Sequence, residues 1–366
     1  MTYLNNTSLY TTIIYNNKNS YTDVVECLSP HARIITSNIS NIYDIDMDRC
    51  VLFIICIDDY SDKNLDILLE FTSRASEHGI STLFVIEEEF RGDIAKIFSI
   101  GGTGYILRPL SRQKMKPIAT EYTNRFIENS WDDFSKLQSS ALKASLNSFN
   151  NMMTSANQDK PLHFPDIQAS GRQVVEAIKS EGLQAWNSAL KDHHDSTFSH
   201  SLQTCGYLVE FSHEIGISGE EIENLAIAGI VHDIGKIRIP HWILNKPGRF
   251  TRAEFNVVKR HPTVGYKILQ KNPEISADIL DATLHHHEHL DGSGYPDGLR
   301  GSQISNVALL VAVADVFSAL TEKRPYKEAL SNEEAYDQML EMENHLDMSL
   351  VQAFEPIAFK QRRLAT

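Results

Sequence analysis

At 366 residues, with 42% hydrophobic and 22% charged side chains, the chain is long for one compact core and is expected to fold as two domains rather than to be disordered. A formal net charge of −14 excludes broad nucleic-acid binding, which depends on many Lys and Arg contacts to phosphates, but it leaves room for a small anionic ligand held by a few cations or metal ions. The four cysteines, Cys27, Cys50, Cys56 and Cys205, form no C-x-x-C pair, so neither a disulfide framework nor a thiolate zinc site is expected, and any metal has to be held by imidazole and carboxylate.

The first 110 residues alternate short apolar runs with longer polar or amphipathic stretches. Strands are expected at Thr12–Tyr15, Arg33–Thr36, Val51–Ile57, Thr82–Ile86 and Gly104–Leu107, with helices between them such as Asn64–His78. That alternation predicts a parallel sheet covered on both faces, and five such units suit a flavodoxin-like α/β layout. No run reads as membrane-spanning: Val51–Ile57 has strand length, and the longer stretch 307–320 carries Asp315 in its middle. The beginning, Met1–Asn6, has neither the basic nor the apolar region of a signal peptide, so a cytoplasmic protein with no membrane contact is expected.

Gly101 to Leu110, with Arg108-Pro109 after a short strand, resembles the end of a response-regulator receiver domain, where Lys-Pro precedes the last helix. The phosphorylation residues of that family are replaced. Asn16-Asn17-Lys18 follows the first strand where an acidic pair is needed, and Glu87-Glu88-Glu89 stands in place of a Ser or Thr. Asp58 falls at the phosphoacceptor position. The resemblance therefore implies a degenerate receiver-like domain over residues 1–130, serving a homodimer or a protein partner. Leu110–Leu146 reads as helix, and Ser145–Pro165 is polar and Asn-rich, so residues 131–165 are expected to be a helical connector and linker. From Asp166 to the end the pattern is helical.

The 15 histidines are unevenly placed. His232-Asp233 ends an apolar helical run, Ile222–Val231, and leads into Ile234-Gly235-Lys236. His261-Pro262 follows, then His285-His286-His287-Glu288-His289-Leu290-Asp291-Gly292-Ser293-Gly294-Tyr295-Pro296. Asp315 lies inside the apolar stretch Ala312–Phe317. A single His on a helix is usually packed or solvated. A carboxylate inside an apolar helix is different, because burying it unpaired is costly, so it is generally paired or bound to metal. Imidazole and carboxylate donors without thiolate suit Fe, Mn, Zn, Ni or Co.

This ordered series, together with Arg324-Pro325-Tyr326-Lys327, resembles the HD-GYP subgroup of the HD phosphohydrolases over residues 190–345. The resemblance implies an all-α domain over residues 166–366 that hydrolyses cyclic di-GMP to linear pGpG, or on to GMP, through a hydroxide bridging two metal ions. It implies one metal on His200, His232, Asp233 and Asp315, and a second on Asp233, His261, His286 and His287, with Fe or Mn expected first and Ni, Co or Zn also compatible. Ser196 stands where a third-metal Glu is found in some members, so two metals are expected; Asp192 and Asp195 are the available substitutes. Catalytic roles fall to Asp233 and Lys236, and substrate contacts to Lys236, Tyr295, Arg324 and Lys327. His193, His194, His285 and His289 are left over. The alternatives are a module that binds a cyclic dinucleotide or a protein without hydrolysis, and a hydrolase of another cyclic dinucleotide.

Overall fold

The structure, a computed structural model, describes residues 10–363 apart from 29–32, 48–49, 59–60, 88–91, 93, 191–192, 194–195, 245, 247 and 323–328. It divides into two compact units, Met1–Ser130 and Trp131–Thr366.

The first unit is α/β. Its strands are β1 (Tyr10–Tyr15), β2 (Ile34–Asn38), β3 (Cys50–Cys56), β4 (Ser81–Ile86) and β5 (Gly104–Leu107), with helices α1 (Thr22–Leu28), α2 (Asp62–Glu77), α3 (Ile94–Ser99) and α4 (Arg112–Ser130). All pairings are parallel, in the order β2-β1-β3-β4-β5, which is the flavodoxin-like arrangement. Strand periodicity explains the continuous apolar run of β3. Phe53 and Ile55 point to one face and pack with Phe71 of α2, while Leu52 and Ile54 point to the other and join Val24 of α1 and Met115 of α4. Arg108 after β5 is committed to carboxylates: it ion-pairs with Asp23 and, at 2.9 Å, with Glu87. Asp58 is exposed, and its backbone N–H donates to Asn16 Oδ1 at 3.2 Å. Glu88 and Glu89 lie outside the described residues.

The second unit is helical: α5 (Lys136–Asn157), α6 (Phe164–Glu181), α7 (Leu183–Leu190), α8 (Ser196–Glu214), α9 (Glu220–Val231), α10 (His241–Leu244), α11 (Arg252–Val258), α12 (His261–Leu269), α13 (Ala277–His285), α14 (Asn306–Thr321), α15 (Asn332–Leu340), α16 (Met348–Ala353) and α17 (Glu355–Arg363). α8 packs on α9 and α14, and α13 packs on α12 and α14, so the chain returns repeatedly to one centre. Among the described residues no helix is long and apolar enough to cross a membrane.

The expectation of a connector and linker over 131–165 is corrected here. The single helix expected from Leu110 to Leu146 breaks at a 3-10 turn, Trp131–Asp133, and α5 then runs to Asn157. Trp131, Leu142, Phe149 and Met152 belong to the same apolar core as Phe198 of α8 and Ile227 of α9. Small polar side chains of α5 fill the helix interface, as where Ser145 and Ser170 hydroxyls meet at 2.9 Å. The segment before α6 is tied down as well: the Asn272 amide accepts from Leu162 N–H at 3.0 Å and donates to its carbonyl at 2.7 Å. A fragment starting at residue 166 loses these core residues, each worth about 1.5–3 kcal/mol when buried. It is expected to show no cooperative thermal unfolding, whereas a fragment starting at Trp131 is expected to show one by circular dichroism.

Candidate metal centre

Five helices deliver seven donors to one place. His200 comes from α8, and His232 caps the C-terminus of α9, with Asp233 following it. His261 opens α12, where Pro262 costs nothing because the first helical N–H groups have no partner inside the helix. His286 caps α13 with His287 beside it, and Asp315 sits in the middle of α14. Asp233 is 1% exposed and His232 is fully buried.

Gly235 explains how Asp233 comes so close to α12. The chain leaves α9 in a 3-10 turn, Ile234–Arg238, and that turn packs directly on α12. A Cβ at Gly235 would lie 2.0 Å from the His261 carbonyl oxygen and 2.6 Å from Gly265 N, so only glycine permits the approach. The result is His261 Nε2 at 3.1 Å from Asp233 Oδ1.

Three rings are aimed by the main chain. His232 Nδ1 is 2.9 Å from Gly229 O, His261 Nδ1 is 2.8 Å from Val258 O, and His286 Nδ1 is 3.0 Å from Thr283 O. Each Nδ1–H donates to a carbonyl, so each Nε2 faces the centre with a lone pair, which is the arrangement that metal-ligating histidines generally show. His261 Nε2 and His286 Nε2 face one another at 3.3 Å. His200 Nε2 meets Asp315 Oδ1 at 2.8 Å, and its other nitrogen lies 3.3 Å from Ser318 Oγ and 3.9 Å from Glu322. His232 Nε2 is 3.3 Å from Asp233 Oδ2 and 3.8 Å from Asp315 Oδ1. His287 Nδ1 is 3.9 Å from Asp315 Oδ2.

The donors form two groups. In Asp233, His261, His286 and His287, and separately in His200, His232 and Asp315, the donor atoms lie within 4.8 Å of one another. Asp233 adjoins both, because its Oδ2 is 3.6 Å from His200 Nε2. These residues fit metal ions. Buried polar atoms are normally hydrogen-bonded, yet Asp233 Oδ1 and His232 Nε2 are buried without a hydrogen-bond partner among the described residues, and a cation satisfies both. The protonation states also suit metal. Burial would push the Asp233 carboxyl up, but Lys236 and His232 hold it well below the usual range. Burial likewise opposes ionised Asp315, and its bond to His200 keeps it well below. Burial and the neighbouring imidazoles keep His286 far below its ordinary value, and burial brings His287 to about 3, so both rings are neutral.

Lys236 donates to Asp233 Oδ2, and its side chain is 23% exposed. Tyr295 packs on His287, with ring centroids 4.9 Å apart, and its N–H donates to His287 O at 3.1 Å. Arg324, Lys327, Asp192, His194 and Asp195 lie outside the described residues, and Ser196 opens α8. Two of the remaining spare histidines are otherwise engaged: His193 packs between Trp131 and Phe198, and His285 bridges Asp281 at 2.7 Å and Asp297 at 3.1 Å.

One residue of consequence was missed in the sequence. Glu288 is 2% exposed, and its carboxylate accepts backbone N–H bonds from Asp297 (2.6 Å), Gly298 (3.1 Å) and Leu299 (3.0 Å). It anchors the far side of the loop that carries Tyr295. The only available signal was an acid inside a His-rich string, which reads equally well as a donor. Glu288→Ala would remove the acceptor from three part-buried N–H groups and is expected to cost roughly 2 kcal/mol in urea unfolding, with Glu288→Gln costing less. Gly235→Ala is expected to destabilise by about 3 kcal/mol through overpacking and to weaken metal retention, read by metal analysis of the purified variant.

Comparison with known proteins agrees with this geometry. Residues 184–350 match the family model described as HD domain. The chain is 40% identical over 191 residues to a cyclic di-GMP phosphodiesterase of Pseudomonas aeruginosa, covering 51% of this chain and 46% of that protein. It is 49% identical over 135 residues to the cyclic di-GMP phosphodiesterase response regulator RpfG of Xanthomonas campestris, covering 34% and 35%. It is 39% identical over 143 residues to a 3'3'-cGAMP-specific phosphodiesterase of Vibrio cholerae, covering 39% and 33%. The chain thus spans less than half the length of each of these relatives. Residues 184–350 are thus similar to an HD domain, and all seven clustered donors fall within that stretch.

Proposed function

We propose that the C-terminal unit is a metal-dependent phosphodiesterase of the HD-GYP type that hydrolyses cyclic di-GMP, with linear pGpG as its product. The observation that carries the reading is the pair of donor groups adjoining Asp233. His200, His232, Asp233 and Asp315 would hold one divalent ion, and Asp233, His261, His286 and His287 the other, so that Asp233 would serve both. Fe or Mn is the first assignment; Ni, Co and Zn suit the same donors. When bound, such ions acidify the attacking water and neutralise the phosphodiester charge.

The chain's own residues do the rest. His286 and His287 as neutral rings, and Asp233 and Asp315 as carboxylates, are in the forms that bind a cation. Lys236 is a partly exposed cation beside Asp233, suited to meet a substrate oxygen as negative charge grows there. Tyr295, packed on His287, shapes the wall where a base or ribose would rest. Arg324 and Lys327 are assigned to the substrate phosphates by family resemblance alone. With Ser196 in place of an acid, a third metal and further cleavage to GMP are not part of this reading.

The substrate assignment rests on the relatives named as cyclic di-GMP phosphodiesterases. A second reading, 3'3'-cGAMP as substrate, is supported by the 39% identical Vibrio cholerae relative. For the N-terminal unit we infer an input role through a homodimer or a protein partner. Arg108 is already bound to Asp23 and Glu87, which leaves it poorly placed to meet a phosphoryl group.

The test is anaerobic purification with metal analysis, followed by hydrolysis assays on cyclic di-GMP and 3'3'-cGAMP side by side. About two metal ions per chain and turnover to pGpG are expected, abolished by Asp233→Ala. Lys236→Met is expected to lower kcat by about 10²-fold, the size seen when one transition-state donor is removed. Faster turnover of 3'3'-cGAMP would favour the second reading, and metal without turnover of either nucleotide would replace hydrolysis by binding.

A further inference from the structure

We propose that His289, Asp291 and His345 form a separate surface metal site, which takes a borderline divalent ion of the Zn²⁺ class and ties the loop carrying Tyr295 to the turn before α16. One donor atom from each of the three residues lies within 4.8 Å of the others. None of the three belongs to the Asp233 centre, so this site does not depend on the reaction proposed above.

Three features argue for a built site. First, the two segments are cross-linked by their backbones: Leu290 N–H donates to His345 O at 3.2 Å and Asp291 N–H to Asn344 O at 3.0 Å. The donors are therefore brought together by the main chain, and little ordering cost remains for a ligand to meet. Second, two of the donors are oriented by Ser293. His289 Nδ1 is 2.9 Å from Ser293 Oγ, and Asp291 Oδ1 accepts from Ser293 N–H at 2.8 Å. A hydrogen bond on one imidazole nitrogen is the usual companion of metal binding at the other. Third, the His289 and His345 rings are in contact, with centroids 4.0 Å apart, and they border a cavity of about 60 Å³ that His286 and His287 of the Asp233 centre line as well. Two imidazoles and one carboxylate match the three-ligand sets of zinc sites that leave the remaining position to water.

The experiment is a Zn²⁺ titration of the full-length chain by calorimetry after chelator treatment, comparing wild type with His289→Gln, His345→Gln and Asp233→Asn. His289 is partly exposed and His345 is exposed, and circular dichroism checks that each variant is folded. Wild type is expected to bind one equivalent more than either His→Gln variant. Asp233→Asn is expected to keep that equivalent, and to lose it when combined with His345→Gln. Equal Zn²⁺ stoichiometry in wild type and both His→Gln variants would overturn the site.

Discussion

Asp233 has almost no access to water, and a carboxylate in that position needs compensation from its surroundings. The compensation comes from side chains delivered by separate helices: His232 from the end of α9, His261 from the start of α12, His200 from α8 and Lys236 one turn onward. Much of the C-terminal architecture follows from bringing these groups to one carboxylate. α9 has to end where it does, so that Asp233 leaves the helix facing α12. The 3-10 turn after it has to be bare at Gly235, so that the two backbones touch. α14 has to be apolar on most of its surface yet carry Asp315, which closes the opposite side through His200.

The loop that carries Tyr295 obeys the same logic one layer out. Its start is fixed to His287 by a backbone hydrogen bond, and its end is drawn in by the Glu288 carboxylate. Gly294 lies where any Cβ would strike the backbone of residues 287–289, at 2.4 to 2.6 Å. The loop is therefore folded back onto the residues that precede it. The position of the Tyr295 ring against His287 is a consequence of main-chain contacts as much as of the ring itself.

Legibility in the sequence depended on whether a residue's role was local. The five strands were readable because apolar runs of strand length alternate with helical stretches; the edge strand β2, partly exposed, was displaced by one or two residues for lack of a strong run. Asp315 stood out because an acid in an apolar helix is anomalous on its face. His232, His261, His286 and His287 stood out by their order, and the fold gathers them. Glu288 was passed over because its three partners lie nine to eleven residues ahead in a loop, a distance no periodicity encodes. The 145–165 stretch was misread for a related reason. Ser and Asn are solvated in a linker, but on α5 their small size lets α6 approach, and that depends on a partner helix that composition does not name.

The orientation of His232, His261 and His286 by backbone carbonyls has a consequence for how the proposed centre acquires its ions. A ring held by the main chain cannot swing to suit an ion's preferred geometry, and these donors include no soft sulfur to discriminate among first-row metals. Intrinsic affinity then follows the general order in which Mn²⁺ and Fe²⁺ bind more weakly than Ni²⁺ or Zn²⁺. Metallation in such a centre is decided by supply: the ion found reflects what the surrounding medium offers during folding. The same polypeptide, made under different metal regimes, would carry different ions on an unchanged scaffold.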